Sequence, residues 1–140
     1  MDKNKASYKL KGLPPIYYLN LDEQPERSEY MEGQFKYWEI EDYTRISAYD
    51  GRDGRDLGDI LKGRYPDMMS SGEVGCVTSH LRALKYFLEN SDSPCALIME
   101  DDCDISTVSH WPLNGRISFV KFLMIMMWCN LQLSILLKFM

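Results

Sequence analysis

A charge-free apolar run, Ala96-Leu97-Ile98-Met99, ends in four carboxylates within five residues, Glu100-Asp101-Asp102-Cys103-Asp104. An apolar run this short, without polar alternation, fits a strand covered on both faces, as in a parallel sheet. Ligands of open α/β sheets gather beyond the carboxyl ends of such strands. Crowded carboxylates repel one another unless a cation or a ligand's hydrogen-bond donors offset the charge. This one stretch therefore sets both a fold class and a place to look for a site.

The residues upstream supply elements for such a sheet. Residues 1–13 are polar and lysine-bearing and read as a flexible leader. After Pro14-Pro15, the stretch from Ile16 to Leu21 has the aromatic and branched composition of a first strand. Asp22 is placed to cap a helix with Pro25 in its first turn. That helix, running to Trp38, is expected to present Tyr30, Phe35, Tyr37 and Trp38 to the core. Tyr43 to Ala48 alternates as a second strand, and Asp50-Gly51-Arg52-Asp53-Gly54 reads as a turn. The polar stretch from Asp50 to Ser71 is longer than a simple connection requires, which points to a functional or mobile loop. Ser70 and Glu73 form the ends of a capping box. Val74, Val77, Leu81, Leu84 and Leu88 then recur at helical spacing as the expected core stripe. The order β-α-β-loop-α-β predicts an α/β domain with an at least partly parallel sheet.

Composition narrows the function. At 140 residues there is material for one small domain with a core. The net charge is −5, and no acid follows Asp104, so the body of the domain is acidic. An acidic body argues against a nucleic-acid partner, which would meet a basic face. Cys76, Cys95, Cys103 and Cys129 form no CxxC pair and follow no secretory signal, so a reduced, cytoplasmic protein is expected. His80 and His110 are not spaced as a zinc pair. Cys76 reads as a small buried hydrophobe and His80 as a satisfied core residue.

Four blocks together resemble glycosyltransferase family 25: Ile16 to Arg27 (IYYLNLDEQPER), Ile46 to Asp50 (ISAYD), Gly72 to His80 (GEVGCVTSH) and Leu97 to Asp102 (LIMEDD). The family includes lipooligosaccharide galactosyltransferases and collagen galactosyltransferase domains. The resemblance covers roughly residues 14–105 and implies an incomplete GT-A-like, Rossmann-like fold for nucleotide-sugar binding. It implies a UDP-sugar donor, a divalent metal (Mn2+ or Mg2+) and a glycan acceptor, with galactose as the transferred sugar. Asn20, Leu21 and Arg27 match the nucleotide-binding strand end, and Asp50 matches the acid that serves the base or ribose. Glu100, Asp101 and Asp102 match the family's DxD variant. Asp102 is the first metal ligand expected, with Asp104 beside it. The catalytic base is not assigned, because the family places it in the second half of the domain. An inactive remnant of such an enzyme is one alternative. Another is a haloacid-dehalogenase-like phosphotransferase, whose DxDx[ST] pattern fits Asp102-Cys103-Asp104-Ile105-Ser106, with the first aspartate as nucleophile.

These readings divide the chain into a leader, a domain over residues 14–110 and an atypical apolar tail over residues 111–140. A membrane-spanning tail would need about 20 apolar residues. Lys121, Asn130, Gln132 and Lys138 interrupt the run, so membrane contact is expected only if the tail is a true anchor. The genetic code offers another account. Joining the last base of each codon to the first two of the next converts Met124 to Asn130 into Asp-x-Asp-Val-Val-Gln, a pattern suited to the family's next strand. The expectation is a frameshift near Trp111–Ile117, leaving an incomplete sheet with an exposed edge. Sequencing the gene should show a long open shifted frame with acidic and branched residues. A shifted frame that closes within a few codons contradicts it.

Overall fold

The computed structural model describes residues 7–54 and 57–110, and the backbone of residues 133–137. Four strands form one sheet: β1 (Ile16–Asn20), β2 (Tyr43–Ser47), β3 (Cys95–Glu100) and β4 (Leu133–Leu137). Two helices connect them, α1 (Pro25–Trp38) and α2 (Ser71–Asn90), with short 3₁₀ turns at Ser7–Leu10 and Ile105–His110. The strand order is β2-β1-β3-β4. β1 runs parallel to β2, with Ile16 opposite Tyr43, and parallel to β3, with Ile16 opposite Leu97. The α/β class and the parallel strands are as expected from the sequence. β4 pairs antiparallel along the outer side of β3, so that edge is covered rather than exposed. The rest of the tail, including the segment from Trp111 to Ile117, lies outside the described residues.

Strand alternation sends the central residues to two cores. Ile16, Tyr18, Leu97 and Met99 pack with Met31, Phe35 and Trp38 of α1 and with Ile105 and Val108. Tyr17, Leu19, Ala96 and Ile98 pack with Ala83 and Phe87 of α2. The sheet is thus covered on both faces, which is why β3 could be so uniformly apolar.

Both helices are turned relative to the expected core faces. In α1, Met31, Phe35 and Trp38 are buried, whereas Tyr30 and Tyr37 are half exposed, at 51% and 50%. Tyr30 and Tyr37 each precede a buried residue by one position, a rotation of about 100° around a helix. In α2 the buried residues are Gly75, Thr78, Ser79, Ala83 and Phe87, while Val77 and Leu88 of the expected stripe are 41% and 52% exposed. Small residues win that face because α2 approaches the backbone after β2 closely. A Cβ on Gly51 would lie 1.7 Å from the Ser71 carbonyl oxygen, and one on Gly75 would lie 3.0 Å from the Tyr49 carbonyl oxygen. No larger residue fits between the two backbones without moving them.

The caps divide in the same way. The box on α2 forms as expected, with Ser70 Oγ accepting from the Glu73 N–H and the Glu73 carboxylate accepting from the Ser70 N–H. On α1 the cap position is Gln24, without a side-chain bond, and Pro25 opens the helix. Asp22 does not cap it; its carboxylate accepts from Arg45 Nη2 and from the Ser47 hydroxyl. The long loop is tied to α2 through Tyr65 and Thr78, whose hydroxyls lie 2.8 Å apart, and through Lys85 Nζ, which donates to the Asp59 carbonyl.

Tyr18 is fully buried in the sheet, and its hydroxyl donates to Glu32 and shares a 2.8 Å bond with Ser28. Burial lifts this hydroxyl from 10.0 to about 12, Glu32 reinforcing and Ser28 opposing the shift. Between those values the folded chain binds more protons than the unfolded one. The Tyr18 contribution is therefore complete below pH 10 and declines as pH rises towards 12. Denaturant titrations of Tyr18→Phe against wild type should show the alkaline loss reduced by on the order of 2 kcal/mol. Parallel stability curves across that range would contradict the assignment.

Candidate active site

The carboxyl ends of β1, β2 and β3 open into a cavity of about 370 Å3. α1 leads from β1 to β2 on one side, and α2 leads from β2 back past β1 to β3 on the other, so the strand order reverses at β1, the switch point of the sheet. Leu19 and Leu21 enter from the end of β1, Tyr49 to Arg52 from the segment after β2, and Glu100 and Asp101 from the end of β3. Arg27 of α1 and the first turn of α2, at Ser71 and Gly72, complete the rim. A neighbouring cleft of about 550 Å3 shares Leu21, Ala48, Asp50 and Arg52 with the cavity.

Asp101 is the buried anchor of this rim. One carboxylate oxygen accepts from Asn20 Nδ2 at 2.7 Å, and the other accepts from Arg27 Nη1 at 2.8 Å. Asn20, itself 1% exposed, also donates to the Gln24 carbonyl, and its Oδ1 accepts from Arg45 Nε at 2.8 Å. Arg45 continues to Asp22, where its guanidinium and the Ser47 hydroxyl hold the carboxyl below its ordinary 3.8. One buried amide therefore locks the ends of β1, β2 and β3 and the start of α1 together. Every buried side-chain polar atom among the described residues has a partner, as a low-dielectric site demands. The resemblance implies Asn20 as a nucleotide contact; in the structure its side chain bonds Asp101, the Gln24 carbonyl and Arg45.

Two further devices hold the site, and neither is among the contacts expected from the sequence. Gln34 of α1 clamps the loop after β3, donating to the Cys103 carbonyl at 2.9 Å and accepting from the Ile105 N–H at 2.7 Å. Ser79 of α2 accepts from the Tyr49 N–H at 2.8 Å while donating to the Gly75 carbonyl. Only the glycine pair, Gly51 and Gly75, signals this close approach in the sequence.

Cys76 and His80 lie one helical turn apart on α2 and face Glu100. Cys76 is exposed rather than buried, and its thiol donates towards Glu100 Oε1 at 3.6 Å. Burial of the sulfur, then the adjacent Glu100 charge, pushes the thiol above its ordinary 9.0. His80 Nδ1 lies 2.9 Å from the Cys76 carbonyl oxygen and 3.8 Å from its sulfur. His80 is thus a cavity residue rather than a core one. Spacing between the two histidines does not signal this pair; the Cys-x-x-x-His spacing from Cys76 to His80 does.

The remaining expected residues are placed as follows. Leu21, Arg27, Asp50, Glu100 and Asp101 all line the cavity. Asp50 is held by Arg52, whose Nη2 donates at 2.6 Å. Asp102 and Asp104 are exposed and lie outside the cavity lining. Asp104 Oδ1 accepts from the Ser106 N–H, an arrangement that caps the following 3₁₀ turn. That same contact gives the second aspartate of the DxDx[ST] pattern a local structural job. Magnesium and manganese take oxygen ligands and need only one or two protein carboxylates beside water and phosphate oxygens; Asp50, Glu100 and Asp101 are the carboxylates that line the cavity.

The chain was compared with known proteins. Residues 13–125 match the family model described as "Glycosyltransferase family 25 (LPS biosynthesis protein)". No curated protein and no solved structure matches the chain. Among the described residues no helix is long and apolar enough to cross a membrane.

Replacing Asp101 by asparagine keeps the shape but puts an amide donor against Asn20 or Arg27. Asp101→Asn should lose about 1–3 kcal/mol of stability. Arg27→Gln added to it should cost less than the two single losses summed, because the pair acts together. Strict additivity in a thermal or urea double-mutant cycle contradicts the anchor.

Proposed function

Because the chain belongs to glycosyltransferase family 25, we propose that its cavity binds a UDP-sugar, the donor for transfer of that sugar to a glycan acceptor. Galactose follows from the resemblance of the four blocks, and the GT-A-like reading of the fold belongs to the same proposal. So does the division into a domain over residues 14–110 and a frame-altered tail. The observation that carries it is the convergence of Arg27, the first turn of α2 and three strand ends on one cavity.

The chemistry is that of a charged leaving group. As the sugar departs, negative charge grows on the diphosphate while the anomeric carbon becomes cationic. Donors fixed in advance around the diphosphate lower that barrier without reorganising during the reaction. Arg27 is held by Asp101 through one N–H and is 46% exposed, so its other donors are accessible to a ligand. The first turn of α2 adds backbone N–H groups and the positive end of a 20-residue helix. Asp50 sits where the cavity joins the neighbouring cleft, a position suited to ribose hydroxyls. Leu19, Leu21 and Ala48 offer an apolar surface for the base. No described residue is assigned as the base that would activate the acceptor hydroxyl.

Calorimetry with UDP and several UDP-sugars tests the reading. Binding is expected, and Arg27→Ala should weaken it roughly tenfold, in keeping with the loss of one charge-assisted hydrogen bond. Binding without transfer to any glycan is the outcome that an inactive remnant predicts. No binding by folded protein, or an affinity untouched in Arg27→Ala, contradicts the proposal. Phosphatase turnover that disappears in Asp102→Ala would favour the phosphotransferase instead.

A further inference from the structure

We propose that Cys76, His80 and Glu100 form a binding site for a zinc-class divalent cation in the wall of the cavity. The proposal stands on the donor set and its geometry, whether or not the cavity also takes a nucleotide.

The three side chains come from two elements that the fold fixes against each other. Cys76 and His80 occupy successive turns on one face of α2, and Glu100 is the last residue of β3. Ala83 and Phe87 of α2 pack against Ala96 and Ile98 of β3, holding helix and strand in register. One ligand atom from each of the three residues lies within 4.8 Å of the others.

The spacing is close to that required around an ion. With zinc–sulfur bonds of about 2.3 Å and zinc–nitrogen or zinc–oxygen bonds of about 2.0–2.2 Å, a tetrahedral site sets its ligand atoms roughly 3.5 Å apart. The Cys76 sulfur is 3.6 Å from Glu100 Oε1 and 3.8 Å from His80 Nδ1. Small side-chain shifts therefore suffice. On binding, the Cys76 S–H bond breaks, its proton passes to solvent, and the sulfur lone pair bonds the cation. His80 Nδ1 correspondingly exchanges its contact with the Cys76 carbonyl for the ion.

The donor types choose the metal. Thiolate and imidazole favour zinc and its neighbours, while magnesium and manganese favour all-oxygen surroundings. Three protein ligands also leave a fourth tetrahedral position vacant, the arrangement of zinc sites that accept an exchangeable ligand. All three residues line the cavity, so that position is open to whatever the cavity holds.

Cobalt(II) and zinc(II) chloride are the probes, used with the full chain. Cobalt should give a thiolate-to-metal absorption band that saturates at one ion per chain and is displaced by zinc. Cys76→Ser should abolish the band, and His80→Ala and Glu100→Gln should each weaken zinc binding at least about tenfold. Cys95→Ser and Cys103→Ser should leave both unchanged. A second measurement needs no substitution: zinc should protect Cys76 of the wild-type protein from alkylation, read by peptide mass spectrometry. A cobalt band that persists in Cys76→Ser overturns the proposal, as does Cys76 alkylation at the same rate with and without zinc.

Discussion

Asp101 is a carboxylate placed where a carboxylate is costly, at the buried carboxyl end of the central strands. Removing such a group from water is tolerable only when donors meet both of its oxygens. Asn20 and Arg27 are those donors, and each then has a fixed place. Asn20 in turn draws in Arg45 and the Gln24 carbonyl, so one buried acid organises the meeting point of three strands and a helix. Arg27, half exposed at the rim of the cavity, is thus positioned by a buried acid.

The second constraint is the approach of α2 to the segment after β2. Backbone meets backbone at Gly51 and Gly75, and Ser79 ties the Tyr49 N–H to the helix. This contact decides which face of α2 turns inward. It buries small residues along the first half of the helix and leaves Val77 and Leu88 outward. The same rotation brings Cys76 and His80 round to Glu100. Helix packing and the chemistry of the cavity wall are consequences of one close approach.

How far the sequence could be read follows from the range of the interactions. Strand positions, the Ser70–Glu73 box and the parallel sheet were legible because local pattern and burial agree there. The faces of the helices were not, since periodicity in α2 favoured bulky residues while tertiary contact demanded small ones. Asp22 was misread as a cap because its partners, Arg45 and Ser47, lie on another strand. Of the acidic strand end, Glu100 and Asp101 line the cavity while Asp102 and Asp104 lie outside it, and its acids differ in their contacts. Glu100 faces Cys76, Asp101 is an internal anchor, and Asp104 caps a turn. Sequence distance hides such divisions, because each depends on contacts between residues far apart in the chain.

The proposed nucleotide site is one cavity at the carboxyl ends of β1, β2 and β3. Amide hydrogen exchange with and without UDP measures this most directly, since it reads every described segment at once. Added protection is expected in residues 19–27, 48–52 and 71–80, with little change at the opposite end of the sheet. Protection confined to the region around Leu10 and Trp38, or none in a sample saturated with UDP, would contradict it.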